Sequence, residues 1–229
     1  MAGTAIFDLD RTITRQPTWT RFLFFVNKRR PAFWLALPVL ALHGLAHKLG
    51  FASRDSVKVR ALRSLTWLSR EQLGSAADAF IAREVETGLF PGAVAAIRWH
   101  ASQGHHLVIC TASVDLYADK LARALGVHQV IATRLDWTAG PRHTPPRLSG
   151  ANCYGAEKLR RLAEFNFTGP TYAYSDHISD LGMLLQADHA IAVNPSSGLR
   201  RAAQTHPITV ADFTSPDFRF LEAKGPRPA

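Results

Sequence analysis

Two cysteines in 229 residues exclude a disulfide-stapled scaffold, and Cys110 and Cys153 lack the spacing of a metal-binding pair. Cys110 lies in an apolar run and reads as a buried thiol. Acidic residues are missing from one long stretch. Residues 11–54 hold no Asp or Glu, yet they contain Arg11, Arg15, Arg21, Lys28, Arg29, Arg30, Lys48 and Arg54. Those eight cations account for nearly all of the +9 net charge. An ordinary solvated face would interleave both signs. A one-signed region favours phosphate-rich partners: nucleic acid, an anionic membrane surface or an anionic substrate. No nucleic-acid reader motif is present, so charge alone argues for that partner and none is expected. No leader opens the chain, since Met1-Ala2-Gly3-Thr4 runs straight into an apolar strand; the expected compartment is the cytosol. Repeats and low-complexity tracts are absent.

The longest uncharged stretch, Pro31 to His47, has 17 residues, the lower limit for a membrane-spanning helix. Pro38, His43, Gly44 and His47 interrupt it, and basic residues flank both ends. Three readings compete here: a buried helical hairpin, a segment lying in a membrane interface, and a transmembrane helix. The sequence leaves them open.

A hydrophobic content of 47% supports a substantial core, and the length suits one α/β domain with a large insertion. The chain is organised around Thr4-Ala5-Ile6-Phe7-Asp8-Leu9-Asp10-Arg11-Thr12. An apolar run reads as a buried strand that ends in two aspartates at i, i+2. Alternate residues of an unbroken strand share a face, so Asp8 and Asp10 would be neighbours. Two unpaired carboxylates that close repel, and burying them calls for a cation or a proton. The plainer alternative is a polar turn after an edge strand.

Residues 56–88 carry apolar positions on a 3.6 period, with Ser69 as a helix cap, and Pro91-Gly92 opens a further helix to Ser102. From Leu107 the pattern alternates. Strands at Leu107–Cys110, Gln129–Ala132, Thr171–Tyr174 and Ala190–Val193 are separated by helices Val114–Leu125 and Ala156–Phe165 and one after Asp180. The prolines and glycines of residues 133–152 mark turns and a hairpin. Such alternation implies a parallel sheet. The expected architecture is α/β: a Rossmann-like parallel-sheet core (residues 1–13 and 91–220), an inserted helical cap (14–90) and a loose tail (221–229).

Thr111 at a strand end could be a helix cap, Lys158 an exposed helical lysine, and Asp176 with Asp180 a capped loop. Their order after FDLDxT is the informative part. Residues 7–12, then Thr111, Lys158 and the Asp176/Asp180 pair resemble the complete motif set of the haloacid dehalogenase superfamily. The resemblance implies phosphoryl transfer. Asp8 would be the nucleophile that forms an aspartyl-phosphate. Asp10 would protonate the leaving alcohol and then activate water. Mg²⁺ would be held by Asp8, the Asp10 carbonyl and Asp176. Thr111, with Ala112 and Ser113, would bind phosphoryl oxygens, Lys158 would offset their charge, and Asp180 would support Lys158 or a metal-bound water.

An acid at Asp10 argues against a dehalogenase, and the DKTGT of cation pumps is absent. An insertion between the first and second motifs resembles the subgroup that contains phosphoserine phosphatase. That enzyme's glutamate, about nine residues past the nucleophile, is missing: Gln16-Pro17-Thr18 stand there, which argues against an amino-acid substrate. The aromatic, apolar and basic run Phe22–His47 resembles instead the hydrophobic cap of bacterial phosphatidylglycerophosphate phosphatases, with Arg15 and Arg21 suited to an anionic headgroup. The implied activity is a Mg²⁺-dependent phosphomonoesterase acting on an anionic lipid phosphate at the inner membrane. The alternatives are a phosphatase of small soluble phosphomonoesters and a non-enzymatic basic module binding membrane or nucleic acid.

Overall fold

The computed structural model describes residues 3–49, 51, 53–137 and 146–217. Strand β1 (Thr4–Phe7) is buried along its whole length, as a short β-capable run with no polar side must be. It is central in a seven-stranded sheet of order β4-β3-β2-β1-β5-β6-β7. The other strands are β2 (His106–Val114), β3 (Gln129–Asp136), β4 (Arg147–Ser149), β5 (Thr171–Ser175), β6 (His189–Val193) and β7 (Ile208–Ala211). All neighbours pair in parallel except the β3–β4 hairpin, which is antiparallel. Phe7 is in register with Ile109 of β2 and Tyr174 of β5. The residues that leave the sheet at this level therefore come together on one edge. Such an edge, where the chain departs from a central strand to both sides, is where open α/β sheets hold ligands.

Helices α1 (Thr18–Asn27), α2 (Pro31–Lys48), α3 (Arg54–Leu62) and α4 (Arg70–Arg83) all lie between β1 and α5 (Pro91–Ser102). The long helical pattern of residues 56–88 is broken. A 3₁₀ turn at Arg63–Leu65 follows α3, and the Ser64 and Thr66 hydroxyls donate to the Ala61 and Arg63 carbonyls. Ser69 then restarts the helix with a full capping box: its hydroxyl accepts from Gln72 N–H, and the Gln72 side chain accepts from Ser69 N–H. A π turn at Glu84–Gly88 closes α4.

Residues 31–47 are not a buried hairpin; they belong to the single helix α2. Phe33 is buried and Leu37 and Leu40 half-buried, one stripe at helical spacing, while Trp34, Val39 and Leu45 are exposed and Leu35 is 80% exposed. Among the described residues no helix is long and apolar enough to cross a membrane.

α6 (Asp115–Leu125), α7 (Ala156–Leu162), α8 (Leu181–Gln186) and α9 (Ser197–Thr205) connect the remaining strands. The sequence pattern missed α9 and β7, because a four-residue strand with a partly exposed Thr209 and an exposed Val210 offers too short a signal. One hydrophobic cluster runs from Ala5 and Phe7 through Tyr117 and Leu121 to Phe22, Leu65, Ala77 and Phe80, so sheet, α6 and the inserted helices share a core. A second, containing Val108, Cys110 and Leu184, fills the opposite face.

Candidate active site

Asp8 is the first residue past β1, and its N–H still donates to the Tyr174 carbonyl at 2.9 Å. The chain then turns. The amides of Ile13 and Thr14 both bond to the Leu9 carbonyl, and Arg11 takes φ 64°, a left-handed conformation that costs a non-glycine residue of order 1 kcal/mol or more. The turn ends the strand at Phe7 and aims the two aspartates at different neighbours.

Asp8 faces Lys158. Gly155, at φ 55°, leads the chain into α7, and Lys158 lies one turn along it with its ammonium 2.6 Å from Asp8 Oδ1 and 2.7 Å from Asp180 Oδ2. All three side chains are buried. The Ser175 hydroxyl donates to the same Asp180 oxygen at 2.8 Å. Burial pushes the Asp8 carboxyl up to about 8, against the pull of Lys158, while Asp180 and Asp10 add to the rise. Burial acts to lower Lys158, but Asp8 and Asp180 hold it well above the usual lysine range, so it stays an ammonium.

Asp10 faces α1. Its Oδ1 accepts from both the amide and the hydroxyl of Thr18, each at 2.6 Å, and its Oδ2 accepts from the Ser113 hydroxyl at 2.8 Å. α1 begins after Pro17, which offers no side-chain cap. The Asp10 side chain takes that place from eight residues upstream. Tyr117 completes the group, its hydroxyl 3.0 Å from that of Ser113 and 3.3 Å from that of Thr18.

The Thr111–Ser113 segment of β2 lies beside both aspartates. The buried Thr111 hydroxyl accepts from Ser113 N–H at 3.0 Å. The Ala112 carbonyl accepts from the Lys58 ammonium of α3 and from the Thr133 hydroxyl. Lys58 also donates to Asn152 Oδ1 at 2.6 Å, tying an inserted helix to the end of β2. Asp176, just past β5, is buried; burial and then Asp180 push its carboxyl up to about 6, opposed by Arg11.

Arg15 and Arg21 are not brought to the aspartates. Arg15 donates to the Leu89 carbonyl at 3.0 Å and lies over the Phe90 ring. Arg21 pairs at 2.7 Å with Glu84, a fully buried carboxylate whose other oxygen has no hydrogen-bond partner among the described residues. Thr18, Ser175, Tyr117 and Lys58 belong to the site's surroundings but were not singled out in the sequence.

A model of the haloacid dehalogenase-like hydrolase family matches residues 5–185. The chain belongs to that family. It is 29% identical to a probable phosphatase of Mycobacterium tuberculosis over 224 residues, covering 93% of this chain and 76% of the relative. The solved structure of a Bordetella pertussis protein of unknown function superimposes with a TM-score of 0.80 at 26% identity, over 92% of this chain and 98% of that one. A substrate-bound phosphoserine phosphatase superimposes with a TM-score of 0.63 at 17% identity over 97% of each chain, a likeness of fold.

Members of this hydrolase family generally use Mg²⁺, and the residues fit one. Asp176 is a buried carboxylate with no side-chain donor among the described residues, and Asp8 Oδ2 has only the Thr12 hydroxyl at 3.5 Å. Carboxylates pushed upward by burial are those a hard dication would hold in ionised form. Among the described residues no group of three His, Cys, Asp or Glu side chains has the geometry to hold a metal ion by itself. The expected set of two carboxylates and the Asp10 carbonyl does not require such a cluster.

Proposed function

We propose that this protein is a Mg²⁺-dependent phosphomonoesterase working through an aspartyl-phosphate on Asp8, with residues 1–13 and 91–220 as catalytic core and 14–90 as cap. By reaction class it is a phosphoric monoester hydrolase, in keeping with its family and with a relative named as a probable phosphatase. The observation that carries the mechanism is the division of labour between the aspartates: Asp8 against an ammonium, Asp10 among neutral hydrogen-bonding groups.

Asp8 attacks phosphorus, and the ester P–O bond breaks as Asp10 gives its proton to the leaving alcohol. Asp10, now a carboxylate, takes a proton from water as that water attacks the phosphoryl group, releasing phosphate and restoring Asp8. Thr18 and Ser113 hold Asp10 in line, and Lys158 offsets negative charge beside Asp8. Thr111 and the neighbouring backbone amides hold the phosphoryl oxygens. Asp8, Asp176 and the Asp10 carbonyl would hold Mg²⁺, which when bound offsets negative charge on the transferring phosphoryl group.

For substrate, the exposed apolar residues of α2 and the acid-free basic run favour an anionic lipid phosphate, met by a cytoplasmic enzyme peripheral to the inner membrane. The second reading is a soluble phosphomonoester, favoured by the fold shared with phosphoserine phosphatase. A wild-type and Asp8→Asn comparison tests the chemistry: an acid-stable labelled phosphoenzyme and Mg²⁺-dependent phosphate release in the wild type, both lost in Asp8→Asn with folding intact, support it. Turnover by Asp8→Asn sinks it. Lipid and soluble esters assayed side by side decide the substrate.

A further inference from the structure

Beside α2, and apart from Asp8, lies a cleft of about 340 Å³ between α1, α2, α3 and the turn that follows it. Its lining combines Arg30, Arg60 and Arg63 with the apolar Phe33, Ala36 and Leu40. Arg30 is held with its guanidinium carbon 4.4 Å from the centre of the Trp67 ring, which orients the group but leaves its charge uncompensated. None of the three arginines pairs with a carboxylate among the described residues. The apolar lining continues along α2 into side chains with no cover, Leu35 at 80% and Leu42 at 66% exposure. Three cations around a cleft, joined to a bare apolar helix face, make an amphiphilic site.

We infer that this cleft seats the phosphodiester headgroup of an anionic bilayer phospholipid while the exposed face of α2 lies among the acyl chains, docking the enzyme on the membrane. Charge selects the occupant. Guanidinium groups match phosphate oxygens in a fork geometry, and from residue 11 to residue 70 the sequence around them carries a single acid, Asp55. A protein partner would need a strongly acidic apolar segment; a bilayer supplies both properties at once. The inference goes beyond the substrate reading, because a docked enzyme can hydrolyse lipid or soluble esters alike.

The test is co-sedimentation of the full chain with phosphatidylcholine vesicles that contain or lack phosphatidylglycerol. Turnover of para-nitrophenyl phosphate serves as an independent report on the Asp8 site. Binding is expected only to the anionic vesicles. Each arginine removed should weaken it about fivefold, so Arg60→Gln with Arg63→Gln loses roughly 25-fold while turnover of the soluble ester is unchanged. Leu35→Ser with Leu42→Ser should also weaken binding. Arg200→Gln with Arg201→Gln on α9 removes the same charge elsewhere and should leave binding near wild type. Equal binding to both vesicle types, no binding, or equal loss in the α9 variant would overturn the proposal. Failure of ester turnover in every variant would count instead against the phosphatase reading.

Discussion

Thr18 meets one oxygen of Asp10 twice, through its amide and its hydroxyl, each at 2.6 Å. The backbone contact survives substitution and the hydroxyl contact does not. Thr18→Val therefore leaves α1 in place but frees Asp10 to rotate toward Ser113. Misplacing a catalytic group by about 1 Å can cost on the order of 100-fold, so kcat should fall 10- to 100-fold with KM little changed. Thr18→Ser should retain most activity. Steady-state kinetics with a soluble ester check this, and an unaltered kcat in Thr18→Val would remove Thr18 from the positioning role.

Lys158 separates two buried carboxylates. Lys158→Met leaves Asp8 and Asp180 facing each other without a cation, a defect of about 3–5 kcal/mol in buried ion groups. Urea unfolding in the absence of divalent ions should show that loss, and Asp180→Asn in the same chain should return part of it. A Lys158→Met protein as stable as wild type would mean that the carboxylates are already protonated.

Chelation should abolish turnover, and Mg²⁺ should restore it. Asp176→Asn should raise the Mg²⁺ concentration needed for half-maximal activity by about 10-fold or more, while Mg²⁺ at 100 times its dissociation constant should add about 2.7 kcal/mol to wild-type stability. Full activity in excess EDTA would refute the metal assignment, and the melting temperature with and without Mg²⁺ gives a readout free of catalysis.

Away from the site, His100 is buried with one ring nitrogen 2.8 Å from the Tyr174 hydroxyl and the other 2.7 Å from His105 Nδ1. Burial, reinforced by His105 and His189, drives it down to about 3. The unfolded chain takes up this proton near pH 6.5 and the folded one does not. Its contribution is thus complete above pH 6.5 and is lost as pH falls toward about 3. Between pH 7 and pH 5 the loss should be about 2 kcal/mol, and His100→Gln should flatten that slope in urea titrations at the two pH values. An unchanged slope would mean that other groups set the acid limb.

Periodicity located the element ends beside which Asp8, Asp10 and Asp180 lie, but it was the resemblance of their order to the haloacid dehalogenase motif set that singled them out together with Lys158, which by pattern alone reads as an exposed helical lysine. Asp10's partners were harder to read. Thr18 and Ser113 reach it across 8 and 103 residues, and the chain turn at Leu9 that makes the contacts possible has no sequence period. Arg15 and Arg21 looked suited to substrate by charge alone, yet Glu84 takes up Arg21 from 63 residues away. α2 could not be settled either, since a helix apolar on every side gives the same pattern whether it is buried or bare.

The ring of Tyr117 packs against Phe22 and Phe80 with centroids 5.2 and 5.8 Å apart, while its hydroxyl belongs to the Asp10 network. Swinging α1 and α4 away as a rigid lid would wet all three rings. At about 150–250 Å² each and ~25 cal/mol per Å², that costs on the order of 10 kcal/mol, as much as a whole domain's stability. Such a swing would also break the Thr18 hydrogen bonds that hold Asp10. Heating should therefore give a single calorimetric peak in which the sheet and the inserted helices that share its core melt together.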